Sequence, residues 1–290
     1  MLRALANLAF SLVLCHAAAA QDAPPFASFD IASEPILNDP HDLAIGPDGL
    51  LYVADKFGNR ISVLDPDTLE LVRHIGEGML PGVHDISFGP DGQAIAAVAG
   101  QSYALVIPDI GAEEFAASTA YSAPRTEGAL WHSSGNIYVM ASGIGVLAAF
   151  ADRELFATAQ GHGGAHDVVE DPAGNVWVAD NANRRLVQYT TDLELLRTID
   201  DPKFGFLGPR YMDFDEFGRI VVADQDAHRI LLIDPGESGQ GELLGVLGTG
   251  LPGFGINQFD DPEGVAVWGN SYFISDSDNN RIVRYSVVMN

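Results

Sequence analysis

The sequence predicts an all-β protein: a six-bladed β-propeller whose ring is closed by an N-terminal strand pairing with the last blade. Three observations carry this. Six stretches open alike and turn at a glycine, apolar residues alternate with a period of two within them, and the last repeat is one strand short while the N-terminus has one to spare. The stretches read PHDLAIGPDGLLYVAD from Pro40, VHDISFGPDGQAIAAV from Val83, TEGALWHSSGNIYVMA from Thr126, AHDVVEDPAGNVWVAD from Ala165, PRYMDFDEFGRIVVAD from Pro209 and PEGVAVWGNSYFISD from Pro262. Their turn glycines, Gly49, Gly92, Gly135, Gly174, Gly218 and Gly269, are spaced by 43, 43, 39, 44 and 51 residues, a period of propeller blades rather than of helical arrays.

In the first repeat, Asp42 to Ile45 reads as a strand, Gly46-Pro47-Asp48-Gly49 as a turn, and Leu50 to Ala54 as a second strand. Ile61 to Leu64 and Leu69 to Ile75 supply the third and fourth. Pro presets φ and Gly accepts a positive φ, which suits a tight turn. Four short strands per repeat and no helical period give the propeller. The last repeat ends with its third strand, Arg281 to Val288, and Phe26 to Ile31 is the segment free to pair beside it. That pairing covers an exposed edge and makes the ring one cooperative unit.

The chain divides into residues 1–20, a leader, and 21–290, the propeller. Arg3, the apolar run Ala4 to Leu14 and the small residues Ala18-Ala19-Ala20 read as a secretory signal peptide, too short to span a membrane as a helix. The expected location is therefore exported, periplasmic or secreted. The single cysteine, Cys15, lies within the leader, where the bulky Leu14 fits a lipoprotein signal poorly. A mature chain without thiols excludes cysteine chemistry and disulfides. The sequence holds 40 acidic and 15 basic residues, a net charge of −25. Such a surface repels phosphate backbones and anionic membranes, so the expected partner is a small molecule, peptide or protein at the channel mouth, with no nucleic acid and no membrane insertion.

Gly250-Leu251-Pro252-Gly253-Phe254-Gly255, Gln258-Phe259, Pro262 to Val267, Ser275-Asp276 and Asn280-Arg281-Ile282 resemble an NHL repeat. So do Ala54-Asp55 with Asn59-Arg60-Ile61, Ala179-Asp180 with Arg185-Leu186, and Ala223-Asp224 with Arg229-Ile230. The repeats from Val83 and Thr126 lack the Asp-to-Arg element. The four pairs, each five residues apart across a hairpin, read as architecture, because a catalytic pair is seldom needed four times. An NHL propeller implies a fold and leaves its chemistry open.

Counting eight residues back from the turn glycine gives His41, His84, Glu127, His166 and Arg210, and alignment through Asp276 adds Glu263. These begin the innermost strands, so a ring of six polar side chains is expected at the mouth of the central channel. Neutral imidazoles bind zinc and similar ions, and carboxylates complete such shells. His41, His84 and His166 are the candidate ligands of zinc or another divalent metal. Asp42, Asp85 and Asp167, which follow them, either orient the rings or hydrogen-bond backbone between blades. His162, in Gly161-His162-Gly163-Gly164, reads as a surface histidine in a turn.

Pro40-His41-Asp42 and Ala165-His166-Asp167 are also similar to strand starts of peptidyl-amidoglycolate lyase, an NHL-type enzyme, and the resemblance implies a three-histidine zinc site. That family spaces its histidines on alternate blades, whereas these fall on blades one, two and four. It also places a tyrosine where Phe57, Ala182, Asp226 and Asp278 stand here. Two functions follow: a binding module acting through the channel mouth with an axial divalent metal, and, as the alternative, a metal-dependent lyase or hydrolase. In the latter Arg210 binds a substrate carboxylate, and Tyr211, Glu127 or Glu263 moves a proton. Gly-x-Ser-x-Gly, phosphate-loop and dinucleotide glycine patterns do not occur.

Overall fold

The structure, a computed structural model, describes residues 23–112 and 114–287. They form six four-stranded antiparallel sheets arranged as blades. The innermost strands are Pro40–Ile45, Val83–Phe88, Thr126–Trp131, Asp167–Glu170, Pro209–Phe214 and Pro262–Trp268. In blade one the remaining strands are Leu51–Asp55, Arg60–Leu64 and Leu71–Ile75, within two residues of the sequence expectation. Helix is confined, among the described residues, to four single 3-10 turns such as Pro202–Phe204.

The ring closes as the sequence predicts. Ser28–Ala32 pairs antiparallel with Arg281–Ser286, opposing Phe29 to Tyr285 and Ala32 to Val283. The two rings meet edge-on at 5.9 Å, and Arg284 reaches Asp30 at 2.6 Å. Such cross-strand aromatic and charge pairs are the unit of sheet stabilisation. The leader residues 1–20, with Cys15, lie outside the described residues, as does Val288 of the expected last strand. Among the described residues no helix is long and apolar enough to cross a membrane.

The core lies between blades. The second strands of blades one to five are buried along their whole length, LYVAD in blade one and VWVAD in blade four, because both their faces meet a neighbouring sheet. One cluster packs Tyr52 and Val63 of blade one against Ile86 and Ala96 of blade two. Another sets Trp177 of blade four against Met212 and Val222 of blade five. The outer strands face solvent on one side, and Leu195 and Leu196 of blade four are exposed.

Candidate site at the channel mouth

The Asp-to-Arg pairs build the mouth. In blade one Asp55 accepts Arg60 Nε on Oδ2 at 2.8 Å and the backbone N–H of Asn38 on Oδ1 at 2.7 Å. Asn38 lies three residues before His41. The pattern recurs: Asp180 takes Arg185 and the N–H of Gly163, and Asp224 takes Arg229 and the N–H groups of Leu207 and Gly208. Asp276 takes Arg281 and the N–H of Asp260. Each carboxylate thus anchors the connection that delivers its blade's ring residue. Charge-assisted bonds of this kind are the stronger class. Blades two and three lack the pair and use backbone instead, with Gly100 N–H on Pro81 O and Gly143 N–H on Pro124 O, both at 3.1 Å.

The inner strands then bulge where the ring residues stand. Pairing register slips between Pro40 and Leu43, Val83 and Asp85, Thr126 and Gly128, Pro209 and Met212, and Pro262 and Val265. A bulge leaves a residue out of the ladder and re-aims its side chain. His41, His84, Glu127, Arg210 and Glu263 fall within these bulges, one residue after the strand starts, and His166 lies just before its strand.

The six side chains meet. His41, His84, Glu127, His166 and Glu263 are between 0 and 6% exposed, and the Arg210 side chain 14%. His41 Nδ1 lies 2.7 Å from Glu263 Oε2, and Arg210 Nε 3.0 Å from the same oxygen. Across the ring, Glu127 lies 3.2 Å from His166 Nε2 and 3.6 Å from His84 Nε2, and takes Arg125 Nε at 2.7 Å. The rings of His41 and His84 are 4.5 Å apart, those of His84 and His166 6.2 Å. The order His, His, Glu, then His, Arg, Glu has an approximate two-fold character: each glutamate faces the histidine of the next blade. Glycine makes this possible. A Cβ on Gly264 would lie 2.2 Å from His41 O, and one on Gly128 2.2 Å from His166 O.

Proton positions follow from the carbonyls. His84 Nδ1 donates to Gly82 O at 2.7 Å and His166 Nδ1 to Gly164 O at 2.6 Å, since a carbonyl only accepts. Burial pushes both imidazoles well below their usual pKa, aided by His41 at His84 and by Arg210 at His166. They are therefore neutral, with Nε2 lone pairs turned toward Glu127. His166 Nε2, Glu127 Oε2, Glu263 Oε2, Arg210 Nε and both nitrogens of His41 make no well-directed hydrogen bond although all are buried. Buried polar atoms without a partner are costly and call for an explanation.

Sequence reasoning missed Asp39. It sits in the connection before the inner strand with φ of 58°, 3.4 Å from His41 Nε2 and 2.8 Å from Lys56 Nζ. Burial opposes its ionisation, but His41 and Lys56 hold it well below the usual carboxylate range. Asp39, His41 and Glu263 offer ligand atoms within 4.8 Å of one another, a spacing suited to a metal ion. His84 and His166 are not part of that group: their Nε2 atoms lie against Glu127, although the His84 ring is 4.5 Å from that of His41. The signal available for Asp39 was its place immediately before Pro40, matched by Asp261 before Pro262.

The aspartates after the histidines take the second of their two expected roles. Asp42 Oδ2 accepts the Ile86 N–H at 3.2 Å, Asp85 Oδ2 that of Ala129 at 3.0 Å, and Asp167 Oδ2 that of Met212 at 2.6 Å. Each joins its blade to the next. Burial raises all three pKa values, to about 8 for Asp42, helped at Asp85 by Asp42 and Asp167. Tyr211 is fully buried and donates its hydroxyl to His84 O at 2.9 Å; burial, then Asp85, lifts its pKa. His162 is not at the surface as its turn suggested. It is 5% exposed, 3.3 Å from Asp180 Oδ2 and 3.1 Å from the Tyr189 hydroxyl, within the support of blade four.

Fold and mouth together define a six-bladed β-propeller with a polar ring at one end of its channel. The family model for the NHL repeat matches residues 37–64 and 259–285. No curated protein matches the sequence. Among solved structures it is similar to virginiamycin B lyase from Staphylococcus aureus, with 12% identity and a TM-score of 0.63 over 89% of this chain and 99% of that one. It is also similar to the PQQ-bound aldose sugar dehydrogenase of Streptomyces coelicolor, at 15% identity and a TM-score of 0.67 over 91% and 99%. An auxiliary nutrient binding protein from Bacteroides thetaiotaomicron matches at 15% and 0.69 over 86% and 69%. These likenesses are of fold.

Proposed function

We propose that the protein is an exported binding module whose channel mouth holds a divalent ion, zinc or one of similar preference, and takes a small molecule, peptide or protein there. The observation that carries this reading is the trio of half-buried Asp39 with buried His41 and Glu263, with ligand atoms within 4.8 Å and with both His41 nitrogens and Glu263 Oε2 lacking a well-directed hydrogen bond. One imidazole and two carboxylates suit such an ion. When bound there, the ion supplies a Lewis-acidic position for a ligand oxygen. Arg210, already against Glu263, orients carboxylate ligands from the adjoining blade. The connections around this end expose Phe57, Met79, Ile144 and Phe254, apolar surface for the rest of a ligand.

Catalysis as a lyase or hydrolase is the second reading, with Arg210, Tyr211, Glu127 and Glu263 as its groups. It is weaker because the Tyr211 hydroxyl, fully buried, is committed to His84 O. The test of the favoured reading is elemental analysis of full-length protein purified from zinc-replete medium. One equivalent of a divalent ion, lost in His41→Ala and in Glu263→Gln, supports it. A wild type that stays metal-free and shows no calorimetric zinc binding overturns it. Mass spectrometry of exported protein beginning at Gln21 tests the leader.

A further inference from the structure

Each carboxylate of the trio Asp39, His41 and Glu263 already faces a cation of the chain's own. Lys56 Nζ lies 2.8 Å from Asp39 Oδ2, and Arg210 Nε lies 3.0 Å from Glu263 Oε2. Asp39 Oδ2 is also the oxygen nearest His41 Nε2, at 3.4 Å, so the lysine sits on a ligand atom of the trio. A divalent ion among these groups would stand beside two positive side chains. Like charges that close repel strongly where water is sparse, so one of the two has to give way.

Arg210 is the fixed one. Its Nη1 donates to Gln225 Oε1 at 2.8 Å, and buried Gln225 is itself held, donating from Nε2 to Asp261 Oδ2 at 2.7 Å and to Glu263 Oε1 at 3.1 Å. Lys56 is the movable one. Among the described residues its ammonium makes one hydrogen bond, to Asp39. A second seat lies beside it, since the exposed Phe57 ring is centred 4.5 Å from Nζ and an aromatic face attracts an ammonium. The turn beneath is anchored separately, by Phe57 N–H on Asn38 O at 3.0 Å, so the side chain can swing while the backbone stays. Lys56 directly follows the second strand of its blade. The residues in that place on the other blades, Ala99, Ser142, Asn181, Gln225 and Ser277, are all neutral. The one cation of that column stands on the blade that supplies Asp39 and His41.

We infer that Lys56 is a built-in competitor for the ion: its ammonium holds Asp39 Oδ2 until a divalent ion takes that oxygen, and then leaves Asp39 for the face of Phe57. The lysine thereby regulates how tightly the mouth holds metal, and the site exchanges its ion instead of locking it in. This rests on the metal reading of the mouth. A lysine that only braced the turn would weaken metal binding when removed, whereas a competitor strengthens it.

The test is calorimetric titration of full-length protein with zinc chloride, in wild type, Lys56→Met, Lys56→Arg and Arg153→Gln. Lys56→Met should bind zinc roughly tenfold tighter or more, because a unit charge beside the ion has gone. Lys56→Arg keeps that charge and should bind no tighter than wild type. Arg153 lies in the turn between Val146–Ala151 and Glu154–Gln160, away from the mouth, and its loss should change the affinity by less than about twofold, since distant charges are screened. A second readout needs no variant. Lys56 and Lys203 are the chain's two lysines. In carbon-13 NMR of lysine-labelled wild type, the Lys56 side-chain signal should move on zinc saturation and that of Lys203 should stay. Equal or weaker zinc binding by Lys56→Met, the same tightening in Arg153→Gln, or an unmoved Lys56 signal at saturation overturns the inference and leaves the metal reading standing. Zinc binding by neither wild type nor Lys56→Met overturns both. Binding by Lys56→Met alone shows the lysine winning outright, so the inference stands and the metal reading of the wild type falls.

Discussion

Replacing Arg229 with methionine tests the claim that the Asp-to-Arg pairs are architecture. The Arg229 side chain is 1% exposed. Its Nε and Nη2 reach Asp224 Oδ2 at 3.0 and 2.7 Å, and Nη2 also reaches Phe204 O at 2.9 Å and Gly205 O at 2.8 Å. Methionine keeps the volume and strands one carboxylate oxygen and two carbonyls. Breaking a buried pair by removing one partner costs about 3–5 kcal/mol. At about 2–4 °C per kcal/mol for a domain of this size, the midpoint should fall by roughly 6–20 °C. Arg60→Met is the internal contrast. Arg60 is 18% exposed, its second partner Glu77 is 68% exposed, and Asp55 keeps the Ser62 hydroxyl and the Asn38 N–H. Its loss should cost about 1 kcal/mol, near the upper end for solvated pairs. Urea unfolding and calorimetry read both. A cost below about 1 kcal/mol for Arg229→Met, or equal costs for the two variants, refutes the reasoning.

Three further predictions concern the ring and its charges. Burial raises the Asp213 carboxyl to about 6. A raised folded value means its stabilising contribution is full below the unfolded value of 3.8 and lost as pH rises through about 6. Asp213→Asn should therefore gain about 2 kcal/mol relative to wild type between pH 4 and pH 7 in urea titrations; a constant difference contradicts the shift. Deleting Ser28–Ala32 exposes the Arg281–Ser286 edge, so calorimetry should lose its single cooperative transition and light scattering should report self-association. Gly264→Ala places a Cβ 2.2 Å from His41 O. It should cost about 1–3 kcal/mol of unfolding free energy and weaken zinc binding at the mouth, whereas an unchanged midpoint would show that the blades separate freely.

Much of the fold is legible in the sequence, because each blade repeats a strand, a glycine turn and a strand at near-constant spacing. The mouth residues are legible for the same reason: in-register repeats put equivalent residues on one ring. What remains hidden lies off that register. Asp39 is set by a loop conformation with φ of 58° that no strand pattern encodes. Whether Asp42, Asp85 and Asp167 serve their own histidines or the next blade depends on the backbone at the strand start, a bulge in blades one and two and an unpaired His166 before the strand in blade four, which is visible only in the pairing. The two-fold order of His, His, Glu and His, Arg, Glu is written in the sequence, but the contacts of Glu263 with His41 and of Glu127 with His166 exist only once the ring is closed. His162 reads as a surface turn because Tyr189, which covers it, is 27 residues away.

The most direct measurement is anomalous diffraction at the zinc edge from crystals of full-length protein grown with zinc. The account predicts one strong peak bounded by Asp39, His41 and Glu263, absent in Glu263→Gln crystals of the same form. A mouth that stays free of anomalous signal, or a peak bound only by surface carboxylates elsewhere, would contradict it.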